Sequence, residues 1–267
     1  MGKNTLILSV KQKKEFYDSI ILELAFLMKY ILFCGKEQIM EDNIEKERIL
    51  QVTADGSHTL YLPDMNEHYH SVNGAVQESE HIFINAGLKQ IEKEEIHLLE
   101  IGFGTGLNAL LTLKEVMEGA VKRNVIYHSV ELYPLDLSVV EQLNYGERVW
   151  KEHEDFFLKL HQAPWDTYEK ITPQFTLYKI KGDSNHCELP QHIDLIYFDA
   201  FAPEKQPEMW SQNIFNKLYE HANDNAIIMT YCAKGVVRRS MQAAGFLMER
   251  LPGPPGKRHI LRGRKQF

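Results

Sequence analysis

Cysteine is scarce in this 267-residue chain, and the scarcity argues against two kinds of scaffold. The three cysteines stand at positions 34, 187 and 232, an odd number, and none belongs to a C-x-x-C pair. A disulfide framework needs paired cysteines and a thiolate zinc site needs closely spaced ones. His68 and His70 have no third His or Cys ligand at a usual spacing. The chain therefore predicts no disulfide and no metal site, and it indicates a reducing, cytoplasmic compartment.

Long uninterrupted apolar runs are also lacking. The most apolar stretch, residues 19–34, is interrupted by Glu23 and Lys29. It is shorter than the ~20 residues of a membrane-spanning helix, and no A-x-A-like cleavage site follows it. We therefore expect no membrane partner. Residues 1–45 are predicted to be an N-terminal extension, with Met40 as a candidate natural start, and residues 46–267 to be the main domain.

Glycine is concentrated in one stretch, residues 98–108, which read LLEIGFGTGLN. An apolar run stops at Gly102, glycines follow at 104 and 106, and leucines then recur at helical spacing, so the stretch predicts strand, loop and helix. Glycine permits a sharp turn and close approach of a ligand, and the amides of a helix N-terminus carry partial positive charge. The stretch predicts a nucleotide-type cradle, with a ligand-free tight turn as the alternative.

The spacing of these glycines distinguishes between cofactors. A dinucleotide fingerprint, G-x-G-x-x-G, would need glycine at 107, where this chain has Leu107. The observed E-x-G-x-G-x-G resembles motif I of the S-adenosylmethionine-dependent methyltransferases. The candidate cofactor-binding residues of this stretch are Glu100, Gly102, Gly104, Gly106 and Asn108, and Glu100 is placed to accept from the ammonium of a methionine moiety.

Three further carboxylates follow predicted strands. Glu131 ends the strand predicted at residues 125–131 and is a candidate acceptor for ribose hydroxyls, with a helix cap as the alternative. Asp183 follows the strand at 175–181, where methyltransferases often bind the adenine amino group. Asp199 follows a nearly continuous apolar strand and is the candidate catalytic residue, because ligands bind at the carboxyl ends of strands in open α/β sheets. A helix N-cap is the alternative for Asp199.

Strands and helices alternate along the chain from the glycine stretch onward. Residues 226–230 predict a strand, 236–244 a helix ended by Gly245, and 246–250 and 259–261 two more strands. The predicted fold is therefore α/β, a doubly wound Rossmann-like sheet that is mostly parallel with an antiparallel last strand.

Charge is distributed unevenly. The whole chain has a net charge of -7, yet residues 234–267 contain nine Lys or Arg and one acid, Glu249. Such a concentration is typical of a surface that binds a phosphate backbone. A merely solvated basic terminus is the alternative.

Residues 199–210, DAFAPEKQPEMW, closely resemble a motif of the MnmC/MnmD family, bacterial methyltransferases that act on a modified wobble uridine of tRNA. Gln206 stands where the family usually has Asn. The likeness runs from about residue 50 to the end, and its other matching stretches are residues 55–61, 68–71, 77–79, 100–108, 235–239 and 245–246.

This resemblance implies an S-adenosylmethionine-dependent enzyme that converts 5-aminomethyl(2-thio)uridine of tRNA into its methylaminomethyl form. Asp199 would then accept a proton of the substrate amine. The implied substrate-binding residues are Phe201, Pro203, Trp210, Arg238, Arg239, Lys257 and Arg258. Larger family members carry a flavin-dependent oxidase, but this sequence has no second glycine fingerprint. We therefore expect a stand-alone methyltransferase with a separate enzyme supplying the aminomethyl group; a small-molecule amine methyltransferase or aminopropyltransferase is the alternative.

Overall fold

The computed structural model of this chain describes residues 47–266. The predicted extension at residues 1–45 and its apolar segment lie outside the described residues. The first described element is a three-stranded antiparallel sheet in the order β1-β2-β3, formed by β1 (Ile49–Val52), β2 (His58–Leu62) and β3 (Glu67–His68). Helix α1 (Ala75–Ser79), a π-helical turn (Glu80–Asn85) and a 3-10 turn (Leu88–Gln90) then lead into the main sheet.

The main sheet has eight strands in the order β10-β11-β9-β8-β4-β5-β7-β6. The strands are β4 (Glu95–Ile101), β5 (Asn124–Glu131), β6 (Tyr168–Thr172), β7 (Phe175–Lys181), β8 (Ile193–Phe198), β9 (Ala222–Thr230), β10 (Leu247–Pro252) and β11 (His259–Arg264). The five central strands β7, β5, β4, β8 and β9 are parallel, and β6, β11 and β10 run antiparallel to their neighbours.

Strand β4 lies where the strand order reverses. It pairs with β5 on one side and with β8 on the other, so the chain leaves β4 at a topological switch point. In open α/β sheets the crevice outside the carboxyl ends of the strands at this point binds ligands. The glycine loop, Glu131 and Asp199 all follow the carboxyl ends of these three strands.

Helices cover both faces of the sheet. They are α2 (Leu107–Glu118), α3 (Leu137–Val140), α4 (Tyr145–Trp150), α5 (Asp155–Gln162), α6 (Gln212–His221) and α7 (Gly235–Ala244). Leu98 of β4 packs in a core with residues of α2, α4 and α5, whereas its neighbour Leu99 packs in a second core with residues of α6 and α7. Consecutive strand residues point to opposite faces, so a strand buried on both faces is apolar throughout, as β8 is.

The structure confirms the predicted fold class, including the antiparallel hairpin of β10 and β11 at the end. It adds strand β6, which the sequence analysis did not anticipate. Tyr168, Glu169 and Lys170 are exposed on this edge strand, so no buried apolar face marks it in the sequence. A 3-10 turn, Pro207–Trp210, leads into α6, whose N-cap Ser211 accepts from the amide of Ile214.

Within residues 47–266, no helix combines the length and apolarity that crossing a bilayer requires.

Candidate active site

The glycine loop adopts a conformation that only glycine accepts readily. Gly102, Gly104 and Gly106 have φ values of 93°, 49° and 71°. A Cβ atom on Gly102 would lie 2.9 Å from the backbone oxygen of Asp199, and one on Gly104 would lie 3.3 Å from Cδ1 of Tyr69. The loop is therefore pressed between two segments, and bare backbone faces the crevice at the start of α2.

Glu131 lies beside this loop. Its Oε2 accepts from the amide of Gly104 at 2.9 Å, and its Oε1 accepts from the amide of Tyr133 at 2.8 Å. The carboxylate is half-buried at the end of β5 and remains within the crevice. This position agrees with the predicted contact to a ribose, which stays a prediction.

Glu100 lies deeper than its predicted role requires. Its side chain is fully buried and accepts from the hydroxyl of Ser129 at 2.6 Å. Burial raises its pKa to about 8, with the nearby Asp199 carboxylate adding to the rise, so Glu100 is neutral at neutral pH. A neutral, buried acid does not supply the anionic acceptor expected for an ammonium group. The buried Glu100 side chain instead bonds to Ser129 within the sheet, two residues before Gly102.

Asn108, on the first turn of α2, joins the glycine loop to the candidate catalytic residue. Its Nδ2 donates to Oδ2 of Asp199 at 2.8 Å. The backbone amide of Asp199 donates to the oxygen of Ile101 at 3.0 Å, which fixes the residue at the strand end. Burial raises the pKa of Asp199 to about 7, although the bond from Asn108 opposes this. Asp199 is thus a half-buried carboxyl poised to gain or lose a proton near neutral pH.

Asp183 is engaged within its own loop. Its Oδ1 accepts from the amide of Asn185 at 2.8 Å and from the Nδ2 of the same residue at 3.1 Å. Its Oδ2 lies 2.9 Å from Nδ1 of His186. These contacts fix the Asp183 carboxylate within its own loop. An adenine amino group would have to donate to an oxygen lone pair that these contacts leave free. The predicted adenine contact is not tested by this arrangement.

The loop after Asp199 contains the three residues predicted to wall a base. Trp210 is only 7 % exposed, packs against Phe198, and donates from Nε1 to the oxygen of Phe201 at 2.7 Å. It therefore stabilises the loop from within, and the substrate-binding role of Trp210 stays a prediction. Pro203 is half-buried in the turn, where the oxygen of Ala202 accepts from Lys205 and Gln206. Phe201 is half-buried, and its ring meets that of Tyr69 edge-on at 5.1 Å.

The four predicted tRNA-binding cations separate into two groups. Lys257 forms an ion pair of 2.6 Å with Glu78, and its side chain is 26 % exposed; its substrate-binding role stays a prediction. Arg239 and Arg258 are exposed and Arg238 is half-buried. Within residues 47–266 none of these three forms an ion pair with a described acid.

Several residues at the site were missed by the sequence analysis. Thr105 in the glycine loop is held from both sides: its Oγ1 lies 2.7 Å from Nε2 of His70, and its oxygen lies 3.0 Å from Nε2 of His161. Burial lowers the pKa of both histidines to about 4, so both are neutral and bond without adding charge. Tyr69, His70 and Glu78 lie in stretches that resemble the family, and this resemblance was the sequence feature that could have marked them as site residues. His161 had none.

Comparison with known proteins agrees with this geometry. Residues 150–266, which include Asp199 but not the glycine loop, match a family described as S-adenosyl-L-methionine-dependent methyltransferase. The crystal structure of MnmC2 from Aquifex aeolicus superposes with a TM-score of 0.66 at 25 % identity, covering 93 % of this chain and 83 % of that chain. Over most of its length the chain is therefore similar to MnmC proteins, and the matching part is called the MnmC-like domain. The resemblance stated from the sequence is thereby confirmed.

Curated relatives of the MnmC-like domain are longer than this chain. A protein of Pseudomonas savastanoi pv. phaseolicola named tRNA 5-methylaminomethyl-2-thiouridine biosynthesis bifunctional protein MnmC is 33 % identical over 216 residues, which is 75 % of this chain and 32 % of that protein. A protein of the same name from Leptospira interrogans is 27 % identical over 213 residues, or 73 % of this chain and 32 % of that protein. The chain thus spans about a third of the length of these relatives.

The residues of the MnmC-like domain fit S-adenosylmethionine as the cofactor. The glycine loop leaves a backbone cradle that a Cβ atom would fill, and the Glu131 carboxylate lies beside it. In addition, the buried Oδ1 of Asn108 has no hydrogen-bond partner within the described residues. The amides of Gly102, Gly104 and Gly106 are bonded within the protein and are not available to a pyrophosphate. An acid at the next strand end and an unpaired acceptor match the phosphate-free, cationic part of this cofactor better.

Proposed function

We propose that this chain transfers a methyl group from S-adenosylmethionine to the aminomethyl nitrogen of 5-aminomethyl(2-thio)uridine at the wobble position of tRNA. The product is 5-methylaminomethyl(2-thio)uridine. The observation that carries the proposal is the placement of Asp199, bonded to Asn108 and packed against the glycine loop at the end of β8. The names of the relatives support the tRNA substrate.

The chemical problem for such an enzyme is the proton on the amine. When bound, S-adenosylmethionine supplies an electrophilic methyl on a sulfonium; the nitrogen lone pair forms the N–C bond, and the C–S bonding pair stays on sulfur. A protonated alkylamine has no lone pair, so Asp199 accepts a proton from the nitrogen. The bond from Asn108 directs one oxygen of Asp199, which leaves the other to orient the amine.

The pKa of Asp199 suits this task. A general base works best when its pKa lies near the working pH, and burial brings Asp199 to about 7. The half-buried Phe201 and Tyr69 contribute apolar surface beside the carboxyl. Excluding water there strengthens the attraction between the Asp199 carboxylate and the cationic substrate amine before the proton is transferred.

The proposal includes three further elements. Arg238, Arg239 and Arg258 bind the tRNA backbone. A separate enzyme supplies the aminomethyl group. The reaction takes place in the cytoplasm, consistent with the free thiols of Cys187 and Cys232.

The test is incubation of the protein with labelled S-adenosylmethionine and tRNA from cells that lack this gene, followed by mass spectrometry of the nucleosides. We expect one methyl gained on aminomethyluridine. Asp199→Asn should lower the single-turnover rate by about 10²-fold or more while cofactor affinity changes little. Asp155→Asn makes the same chemical change on the exposed face of α5 and should leave the rate unchanged.

Two outcomes would contradict the proposal. Absence of label in tRNA, with cofactor binding intact and label appearing in a free polyamine or nucleoside, would favour a small-molecule amine substrate. Turnover of Asp199→Asn close to that of Asp155→Asn would remove Asp199 from the chemistry.

A further inference from the structure

A partly buried ion pair borders the Asp199 site. Glu78 lies on α1 and Lys257 in the turn between β10 and β11, 179 positions apart in sequence, and the Nζ of Lys257 donates to Oε2 of Glu78 at 2.6 Å. Their side chains are only 11 % and 26 % exposed. Removing two charges from water costs several kcal/mol per ion, and a buried pair is often no more stable than apolar residues of the same size. Stability alone therefore gives little reason for this pair.

The pair is connected to the loop that carries Asp199. The Nζ of Lys257 lies 5.0 Å from the ring centroid of Tyr231. The hydroxyl of Tyr231 donates to the oxygen of Ala200, the residue after Asp199, at 2.9 Å. Lys257 thus contacts Glu78 on one side and, through Tyr231, the Asp199 loop on the other.

The two charges act on Asp199 in opposite directions. After burial and the bond from Asn108, the next influences on its pKa are Glu78, which raises it, and Lys257, which lowers it. Together the two carboxylates and one ammonium leave the site with one net negative charge when all are ionised. That charge complements a cationic amine, whereas Lys257 without Glu78 would repel it.

We propose that Glu78 and Lys257 are positioning residues that act through Asp199, holding its carboxylate at the substrate amine and balancing each other's charge there. The inference rests on the proposed function and adds to it two residues that set the charge around Asp199.

Other charged or titratable groups also face Asp199, and the test must keep them constant. They are Glu100 of β4, Tyr127 of β5 and Tyr231 after β9. Each remains unchanged in the variants below.

The experiment measures the pH dependence of single-turnover methylation for Glu78→Gln, Lys257→Met and the double variant. Loss of the Glu78 charge should lower the pKa of Asp199, because only the Lys257 charge then acts on it. The acid limb of the pH–rate profile, where the rate falls as Asp199 is protonated, should therefore move to lower pH. Loss of the Lys257 charge should move the limb to higher pH. We expect shifts of about 0.5 pH unit or more, roughly threefold in rate at fixed pH on the limb, with the double variant between them.

A second readout needs no substrate. Titration of the Asp199 carboxyl by NMR in protein labelled at the aspartate carboxyl carbons, assigned with Asp199→Asn, should show the same opposite displacements. Lys257→Arg keeps the charge and should titrate like the wild type, which separates charge from folding. Asp155→Asn on α5 is the control for a remote carboxylate.

Equal midpoints in all variants, or shifts of the same sign, would overturn the inference. A raised KM for tRNA in Lys257→Met with an unchanged midpoint would also overturn it, returning Lys257 to phosphate binding. If the wild type methylates no tRNA, the proposed function fails, and the NMR titration still decides whether the pair acts on Asp199. If one single variant does not fold, the direction of the shift in the other single variant, measured against Lys257→Arg, decides by the same two readouts.

Discussion

At the scale of single residues, Gly102 shows why the loop sequence is constrained. Its φ of 93° is strained for any residue with a side chain, and a Cβ atom would meet the backbone oxygen of Asp199 at 2.9 Å. Backbone cannot rotate away as a side chain can. Gly102 therefore fixes both the glycine loop and the position of Asp199.

Gly102→Ala should lower both stability and cofactor affinity. The strained φ alone costs about 1–3 kcal/mol, and displacement of Asp199 should weaken S-adenosylmethionine binding by about tenfold or more, measured by calorimetry. Gly235→Ala is the matched control, since its nearest neighbour, at 3.2 Å, is the flexible end of Arg239. Equal cofactor affinity in the two variants would show that the loop tolerates a side chain.

The sequence motifs predicted where residues lie in the fold better than they predicted what each side chain contacts. Motif spacing placed Gly102, Glu131 and Asp199 correctly in one crevice. It assigned Glu100 an ionic role that its burial and its pKa of about 8 do not support. The reason is physical: a carboxylate and a buried carboxylic acid have the same letter in the sequence, and only the surroundings decide which one exists.

At the scale of elements, helix α7, strand β10 and the turn between β10 and β11 carry the exposed arginines of residues 234–266, namely Arg239, Arg250 and Arg258. The expected basic surface is smaller than the sequence suggested, because Lys234 pairs with Glu204 and Arg262 with Glu249. Lys265 donates instead to the backbone oxygens of Tyr219 and Ala222. The exposed arginines that remain for a phosphate backbone are Arg239, Arg250 and Arg258.

Arg239→Gln should weaken tRNA binding and lower the slope of log K against log salt concentration by about 1, since one phosphate contact is lost. The measurement is a binding titration at several salt concentrations. Arg262→Gln is the control: Arg262 donates to Glu249 at 2.7 Å and to the oxygen of Ala86, so its loss should reduce stability but not the salt slope. The same slope in Arg239→Gln as in the wild type would exclude Arg239 from the interface.

At the scale of the whole molecule, buried titratable groups set how stability depends on pH. Burial lowers the pKa of His70, His128 and His161 to about 4, and it raises that of Glu100 to about 8 and of Asp199 to about 7. Stability from the neutral histidines is complete above pH 6.5 and is lost as pH falls toward 4. Stability from the protonated acids is complete at low pH and is lost as pH rises toward 7 and 8.

The free energy of unfolding should therefore be highest near pH 6.5. Below pH 6.5, the loss of stability caused by the three histidines exceeds the gain from the two acids. Above pH 6.5, only the acids contribute to the pH dependence, and each lowers the free energy of unfolding by roughly 1.4 kcal/mol per pH unit until its own pKa is passed. Urea unfolding at pH 5.5, 6.5 and 8 measures the dependence. Glu100→Gln should reduce the fall between pH 6.5 and 8, whereas Glu92→Gln, an exposed carboxyl before β4, should not. An unchanged fall in Glu100→Gln would exclude Glu100 as its source.

The sequence by itself determined the order of elements and the crevice where they converge. Apolar runs such as β8, glycines at alternate positions and acids at strand ends are local patterns, and local sterics and burial are sufficient to produce strand, loop and helix from them. The parallel sheet and its antiparallel final hairpin followed from those patterns, as did the positions of Gly102, Glu131 and Asp199.

Only the tertiary structure decided which side chains meet. Glu78 and Lys257 are 179 positions apart, and no local pattern joins them. The burial of Trp210, the neutral histidines that hold Thr105 and the contact of Tyr69 with Gly104 likewise depend on packing between distant segments. Burial and charge partners are properties of that packing, so the protonation of Glu100 and Asp199 could be assigned only once the chain was folded.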